Sequence, residues 1–272
     1  MFRADLHCHS DCSDGTLSPV EIISSAKRNG LSGLSITDHD TLEAYETAIP
    51  AAKQNGILLG SGVELSCSHK NMSVHILGYD FLLDSNAIKE VCTLRKAKRF
   101  ARNRKILKKL ERFNMFIPES ELEKMEKLNK TVGRPHIAQI MVEKGYVKSI
   151  KDAFSYYLGD GKPCYDPGEP FSVQEGIDAI HKASGKAFIA HPHLIEDRQL
   201  LQEILRMNFN GIECYYAKFT PEKEKRWLKI AKERNWLVSG GSDFHGDVKP
   251  QIALGSSWVD EAAFYAIFQH VL

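Results

Sequence analysis

No apolar run in the 272 residues approaches the ~18 that a membrane-spanning helix needs, so that class is excluded at once. Charge of one sign is also lacking. The formal balance is +1, which argues against attraction of the whole protein to nucleic acid or membrane. There is no Gly-x-Gly-x-x-Gly, no P-loop and no Gly-x-Ser-x-Gly elbow, so dinucleotide, nucleoside-triphosphate and serine-hydrolase readings have no support. No repeat of fixed period and no low-complexity tract interrupts the chain. The six cysteines, Cys8, Cys12, Cys67, Cys92, Cys164 and Cys214, are scattered without a Cys-x-x-Cys pair. They read as reduced thiols packed as small apolar residues. The start, Met1-Phe2-Arg3-Ala4-Asp5, does not resemble a signal peptide, and a cytoplasmic protein is expected.

What is present is a periodic alternation of short apolar runs with amphipathic stretches, the mark of βα units and a parallel sheet. Strands are expected at 2–6, 31–36, 57–63, 73–79, 186–190, 211–215 and 236–240. Helices are expected near 19–29, 42–55, 173–184, 198–208 and 221–234. Ser18-Pro19-Val20-Glu21 and Ser172-Val173-Gln174-Glu175 have the form of capping boxes, and Thr220-Pro221-Glu222 starts another helix. Gly30, Gly56 and Gly185 mark helix ends. Residues 85–170 break this rhythm. They read as helices at about 87–113, 119–128, 135–144 and 149–158, followed by the loop Gly159-Asp160-Gly161-Lys162-Pro163. The expected fold is α/β, a β/α barrel with an inserted helical subdomain at 85–170 between 1–84 and 171–272. The insertion carries too little apolar material to stand as a separate folding unit.

Nine potential metal ligands collect around the strands: His7, His9, Asp14, His39, Glu64, His75, His191, Asp243 and His245. His7 and His9 share one face of an extended chain, because alternate side chains point the same way. Imidazoles joined by carboxylates suit a hard-to-borderline divalent ion, so Cys8 and Cys12 are bystanders. Most of the nine fall at strand C-termini, with His75 inside its strand. A β/α barrel builds its active site at that face from several strands. An open doubly wound sheet would instead gather ligands at one switch point, so the barrel is favoured. Asp40, ahead of Thr41-Leu42-Glu43, has the look of a helix N-cap. The chemistry implied is metal-dependent hydrolysis.

Asp5-Leu6-His7-Cys8-His9-Ser10, Thr37-Asp38-His39-Asp40, Gly133-Arg134-Pro135-His136, Ala190-His191-Pro192 and Ser242-Asp243-Phe244-His245 occur in order across the chain. Together they resemble the PHP (polymerase and histidinol phosphatase) family. That resemblance implies a distorted seven-stranded barrel holding three divalent metals, manganese foremost, with iron or zinc as alternatives. It implies that His7, His9, Glu64 and Asp243 hold one metal and that Glu64 bridges to a second, shared with His75 and His191. Asp14, His39 and His245 would hold the third, Asp14 standing where some relatives carry His. Glu64, Asp243 and His191 would be catalytic.

From Arg95 to Arg112 there are ten Lys or Arg against one Glu. The bland reading is a solvated basic face; the sharp one is phosphate recognition by an Arg fork. The stand-alone bacterial members that this chain resembles carry Arg-x-x-Arg-Asn in such an insertion, matched by Arg99, Arg102 and Asn103. They act on 3′,5′-nucleotide bisphosphates and on 5′ ends of short RNA. Gly133-Arg134-Pro135-His136 opens a helix whose N-terminus favours an anion, with Arg134 and His136 adding donors. In the plainer alternative Arg134 pairs with an acid and His136 caps the helix. Relatives tend to have Gly and often a basic residue after Ala-His-Pro, whereas His193 and Leu194 follow here. Phe113, Tyr156 and Tyr157 are either base-stacking residues or core.

The expected function is hydrolysis of a terminal nucleotide phosphate by metal-bound hydroxide. Arg134, His136, Arg99, Arg102 and Asn103 would bind the substrate. Alternatives are a 5′→3′ exoribonuclease on short oligonucleotides, a histidinol-phosphate-type phosphatase, and a non-enzymatic metal-loaded module. The partner is a small phosphorylated substrate, a nucleotide or short oligonucleotide, with no membrane and no stable duplex nucleic acid.

Overall fold

The computed structural model describes every residue except Asn71 and Asn129. It is a mixed α/β fold with, among the described residues, eight strands in two sheets. One sheet is parallel, ordered β1 (Ala4–Cys8), β2 (Gly33–Ile36), β3 (Leu58–Leu59). The other runs β4 (Gly62–His69), β5 (Met72–Tyr79), β6 (Lys186–Ile189), β7 (Gly211–Tyr216), β8 (Leu237–Gly241). Backbone hydrogen bonds join the sheets at both edges. His9 N donates to Phe244 O and Asp243 N to His7 O on one side; Glu64 N donates to Asp38 O and Asp40 N to Glu64 O on the other.

Two features depart from the expected parallel, seven-strand pattern. β5 runs antiparallel to both β4 and β6. The link from His69 to Met72 is far too short for the crossover of about a dozen residues that a parallel pair requires. The run expected at 57–63 is broken into β3 and β4, and β4 continues to His69, so Glu64 lies inside a strand rather than at its end. The break is held by Tyr45, whose buried hydroxyl accepts from Gly62 N at 2.6 Å and donates to Ile36 O at 2.8 Å. A Cβ at Gly62 would lie 2.1 Å from Ser35 Oγ, so the close approach of β4 to Ser35 there suits glycine.

The helices are α1 (Pro19–Arg28), α2 (Ala44–Asn55), α3 (Asn86–Glu111), α4 (Glu119–Lys127), α5 (Arg134–Glu143), α6 (Ile150–Ala153), α7 (Val173–Lys182), α8 (Arg198–Ile204), α9 (Pro221–Glu233) and α10 (Glu261–Ile267). Both capping boxes form: Ser18 and Ser172 each exchange bonds with the Glu three residues on. The left-handed residue after α7 is Ser184, at φ 63°, not Gly185. Gly185 is needed for packing, since a Cβ there would meet Phe81 at 2.8 Å. The stretch expected as one helix at 149–158 is α6 followed by a π-helical turn, Phe154–Leu158. α10 was not foreseen; its Phe264, with Phe268 just beyond its end, packs in one buried cluster with Tyr79 and Phe188.

Apolar clusters lie between β4–β8 and α7–α9, and between β1–β3 and α1–α2. A further cluster is drawn wholly from residues between Ile106 and Cys164, including Leu110, Ile137, Met141 and Leu158. The helical segment thus has an apolar core of its own, contrary to expectation. Its helices pool small contributions that no single amphipathic stripe reveals. Among the described residues no helix is long and apolar enough to cross a membrane.

Candidate active site

The two sheets converge on one carboxylate. Glu64 is 1% exposed and is ringed by imidazoles. Its Oε1 lies 2.9 Å from His75 Nδ1 and 2.8 Å from His191 Nε2. Its Oε2 lies 3.3 Å from His7 Nε2, 3.1 Å from His9 Nε2 and 3.2 Å from His39 Nδ1. Asp243 Oδ1 stands 3.5 Å from His7 Nε2 and 3.4 Å from His9 Nε2. Asp14 Oδ1 stands 3.5 Å from both His9 Nδ1 and His245 Nε2, and its Oδ2 is 3.7 Å from His39 Nε2. All nine expected ligands therefore meet. Their ligand atoms fall into four groups, each within 4.8 Å: His9–Asp14–His39–His245, His7–His9–Asp243, His7–Glu64–His191 and His39–Glu64–His75. His9 joins the first of these, which the family resemblance did not imply.

This donor set fits divalent metal ions. Both ring nitrogens of His9 and Nδ1 of His39 are buried without an aligned hydrogen-bond partner, an arrangement that costs free energy unless something coordinates them. Burial opposes charge throughout the cluster. It pushes His39 and His245 down to about 3, so these imidazoles are neutral at neutral pH. Burial would also raise the carboxylates, but the facing imidazoles hold Glu64 and Asp14 below the usual range. Lys249, His245 and His7 do the same for Asp243 against its burial. For His9 the Asp243, Glu64 and Asp14 carboxylates outweigh burial and raise it to about 9. Glu213, Glu64 and Asp243 likewise raise His7 against its burial. Metals require ionised carboxylates and neutral imidazoles, so ions entering the centre would displace the protons of His7 and His9.

Beside the cluster lies a cavity of about 310 Å³ whose lining includes His39, His75, Asp14 and His245 of the cluster together with Arg99, Arg102 and Arg134. Arg99 is committed at its base: Nε donates to Asp40 at 2.6 Å and Nη2 to Ser66 Oγ at 2.6 Å. Asp40 is accordingly a buried anchor for α3, with Oδ1 accepting from Ser66 N, and α2 begins without its help. Arg102 is half-buried; its Nη2 donates to Asn103 Oδ1 at 3.3 Å, while its Nε is buried without a partner. Burial first, then Arg99 and Arg134, disfavour its charge, yet a guanidinium keeps its proton, so the wall is an under-compensated cation. Arg134 donates to Asp160 at 2.7 Å and lies 5.1 Å from the Tyr165 ring. The plainer pairing foreseen for it is thus present, within the cavity wall.

The other expected contacts are placed differently. His136 Nδ1 accepts from Gly133 N at 3.1 Å, and the ring faces a neighbouring hollow with Asp11, Asp14 and Lys130. Asn103 is a buried strut that donates to Val132 O at 3.0 Å. His193 leans on Phe219 and Tyr216. Phe113 and Tyr157 pack edge-on at 5.5 Å, Tyr156 is exposed, and Phe154 and Ile150 line the cavity instead.

Several supporting groups escaped sequence reasoning. Asp5 accepts from His7 N, Ser242 N, Ser242 Oγ and Gly255 N, tying the first and last motifs together. Asp38 does likewise for Ser10 and Ser13. Lys249 and Tyr216 donate to Asp243 Oδ2 at 2.6 and 2.8 Å. Glu213, on β7, is fully buried beside His7 and His191. Its signal was available: a lone acid inside an otherwise apolar strand.

Comparison with known proteins agrees with this geometry. The family model described as "PHP domain" matches residues 5–159. A 5′-3′ exoribonuclease of Haemophilus influenzae is 34% identical over 248 residues, 89% of this chain and 90% of that protein. A 3′,5′-nucleoside bisphosphate phosphatase of Chromobacterium violaceum is 30% identical, over 90% of this chain and 88% of that one. A crystal structure of a protein from Bifidobacterium adolescentis, described as a metal-dependent phosphoesterase, superposes with a TM-score of 0.88 at 29% identity, covering 97% of this chain and 94% of its own. With imidazoles, carboxylates and guanidinium groups lining one cavity, the chain belongs to the PHP domain family and is a metal-dependent phosphoesterase.

Proposed function

We propose that this chain removes a terminal phosphate from a nucleotide of the 3′,5′-bisphosphate type. The observation that carries the reading is a single cavity of about 310 Å³ that is lined both by ligand-type side chains and by Arg99, Arg102 and Arg134. One phosphate needs only the ligand-type side chains; a substrate with a second phosphate uses the guanidinium groups as well. His7, His9, Asp14, His39, Glu64, His75, His191, Asp243 and His245 would hold up to three divalent metals, manganese foremost. Bound metals supply an activated water and neutralise phosphate oxygens. The chain's own part is orientation, with Glu64, Asp243 and His191 fixing the reacting end and the guanidinium groups the rest. We assign 1–84 and 171–272 to the metal-binding unit, a distorted barrel closed by the bonds at both sheet edges, and 85–170 to a helical subdomain that covers it.

The second reading is 5′→3′ exoribonuclease action on short RNA, the activity for which the Haemophilus influenzae relative is named. Adenosine 3′,5′-bisphosphate, a short 5′-phosphorylated RNA and histidinol phosphate, assayed side by side with manganese, separate the readings. The bisphosphate is expected to give the highest kcat/KM, and a chelator should abolish turnover of all three. A strong preference for histidinol phosphate would overturn the proposal, and a preference for RNA would select the second reading.

Arg134→Ala tests the guanidinium wall. The residue lies outside the ligand groups, so metal content should be unchanged. Loss of a charge-assisted contact to phosphate should cost about 2–4 kcal/mol in kcat/KM. Arg134→Lys should recover only part, since an ammonium cannot reproduce the fork. Wild-type kinetics for Arg134→Ala would remove it from substrate binding and leave it as the partner of Asp160.

A further inference from the structure

We propose that Glu213 is a positioning residue that fixes both the ring tautomer of His7 and the backbone of His191, and thereby sets how tightly the centre holds its metals. The proposal rests on the reading of His7 and His191 as ligands.

Glu213 sits in β7 among Gly211, Ile212 and Cys214, all buried. A carboxylate with no exposure is expensive unless donors satisfy it. It has two, one for each oxygen. Oε1 lies 2.8 Å from His7 Nδ1, and Oε2 accepts from His191 N at 2.6 Å. An ionised carboxylate only accepts, so His7 carries its proton on Nδ1. In the neutral ring that a metal ligand must be, the lone pair is then on Nε2, the atom that lies 3.3 Å from Glu64 Oε2 and 3.5 Å from Asp243 Oδ1 in the centre.

The second tie acts on a strained residue. His191 has φ 24° and ψ 61°, a conformation that a residue with a side chain adopts only when its surroundings impose it. The charge-assisted bond from its N–H to Glu213 is one such constraint. It leaves Nε2 2.8 Å from Glu64 Oε1 and the ring 5.7 Å from that of His7, nearly parallel to it. One side chain thus holds two members of the His7–Glu64–His191 group from behind.

Glutamine is nearly the same shape but has a single acceptor oxygen. If that oxygen serves His191 N–H, the amide NH₂ faces His7 Nδ1 and drives the proton to Nε2, the wrong tautomer for a ligand. If it serves His7, the NH₂ opposes the His191 N–H. Neither orientation satisfies both.

The test challenges manganese-loaded wild type, Glu213→Gln and Glu213→Asp with a chelator of known affinity, and follows the His7 ring by nitrogen-15 NMR. Glu213→Gln is expected to hold manganese on the order of 10- to 100-fold more weakly, as is usual when a partner behind a metal ligand is lost. The His7 ring signals should shift toward the other tautomer. A folded Glu213→Gln variant with unaltered manganese affinity and unaltered His7 signals overturns the proposal, even if its Tm falls. Should the Gln variant fail to fold, Glu213→Asp decides. Its carboxylate is one methylene short of spanning both donors and must also lose affinity, so wild-type affinity there overturns the proposal. Wild type that takes up no manganese overturns the metal reading, and this inference with it; normal uptake by wild type with an unaffected variant overturns this inference alone.

Discussion

Glu64→Gln is expected to lower kcat by roughly 10³-fold or more, beyond the 10- to 100-fold typical of groups behind the ligand set, and to strip manganese from the centre. The two oxygens of Glu64 serve different imidazoles, His75 and His191 on one and His7, His9 and His39 on the other. An amide keeps one acceptor and replaces the other with a donor, so at least one set faces an NH₂ group. Charge loss compounds the effect, because divalent ions in a buried centre lose a negative charge that offsets their own. The fold should survive. Glu64 is held in β4 by backbone bonds to Asp38 and Asp40, and the β4–β5 ladder is paired from Gly62 to His69 without its side chain. Elemental analysis and steady-state kinetics on the folded variant check this. Wild-type metal content with wild-type kcat would remove Glu64 from the centre.

Arg99→Ala is expected to act first on stability, by about 3–5 kcal/mol, the usual effect of removing one partner of a buried ion pair. Sequence reasoning gave Arg99 to the substrate; in the structure it is also the counter-charge of Asp40, whose side chain is fully buried. Arg95 stands 4.0 Å from the same carboxylate and cannot replace a bond of 2.6 Å. Burial alone would raise Asp40, while Arg99 and then Arg95 pull it below its ordinary 3.8. The folded value is the lower one. The pair therefore contributes stability that is fully present above the unfolded value and is lost as pH falls through the folded one. Removing Arg99 lifts the folded value, so acid unfolding should begin at higher pH. Urea titration at neutral pH and an acid-unfolding curve measure both effects. Unchanged stability, with a selective loss of activity on bisphosphates, would return Arg99 to a purely substrate-binding role.

The sequence by itself determined the chemistry. Nine ligand-type residues recur beside apolar runs, and short motifs with a fixed order leave little freedom in where their side chains converge. It also located most helices, because capping boxes such as Ser18–Glu21 and Ser172–Glu175 are local devices whose partners lie three residues apart. Only the tertiary structure decided which polar residues support the ligands. Asp5, Asp38, Asp40 and Glu213 find partners distant in sequence, at separations as large as 250 residues for Asp5 and Gly255. No periodicity encodes such pairs. The direction of β5, the break at Tyr45 and the division of Arg99 between Asp40 and the cavity are likewise long-range outcomes, set by short connections and by the cost of burying charge without a partner. Residue type and order specify what the site is made of; closure of the two sheets on each other specifies which of those residues hold it in place.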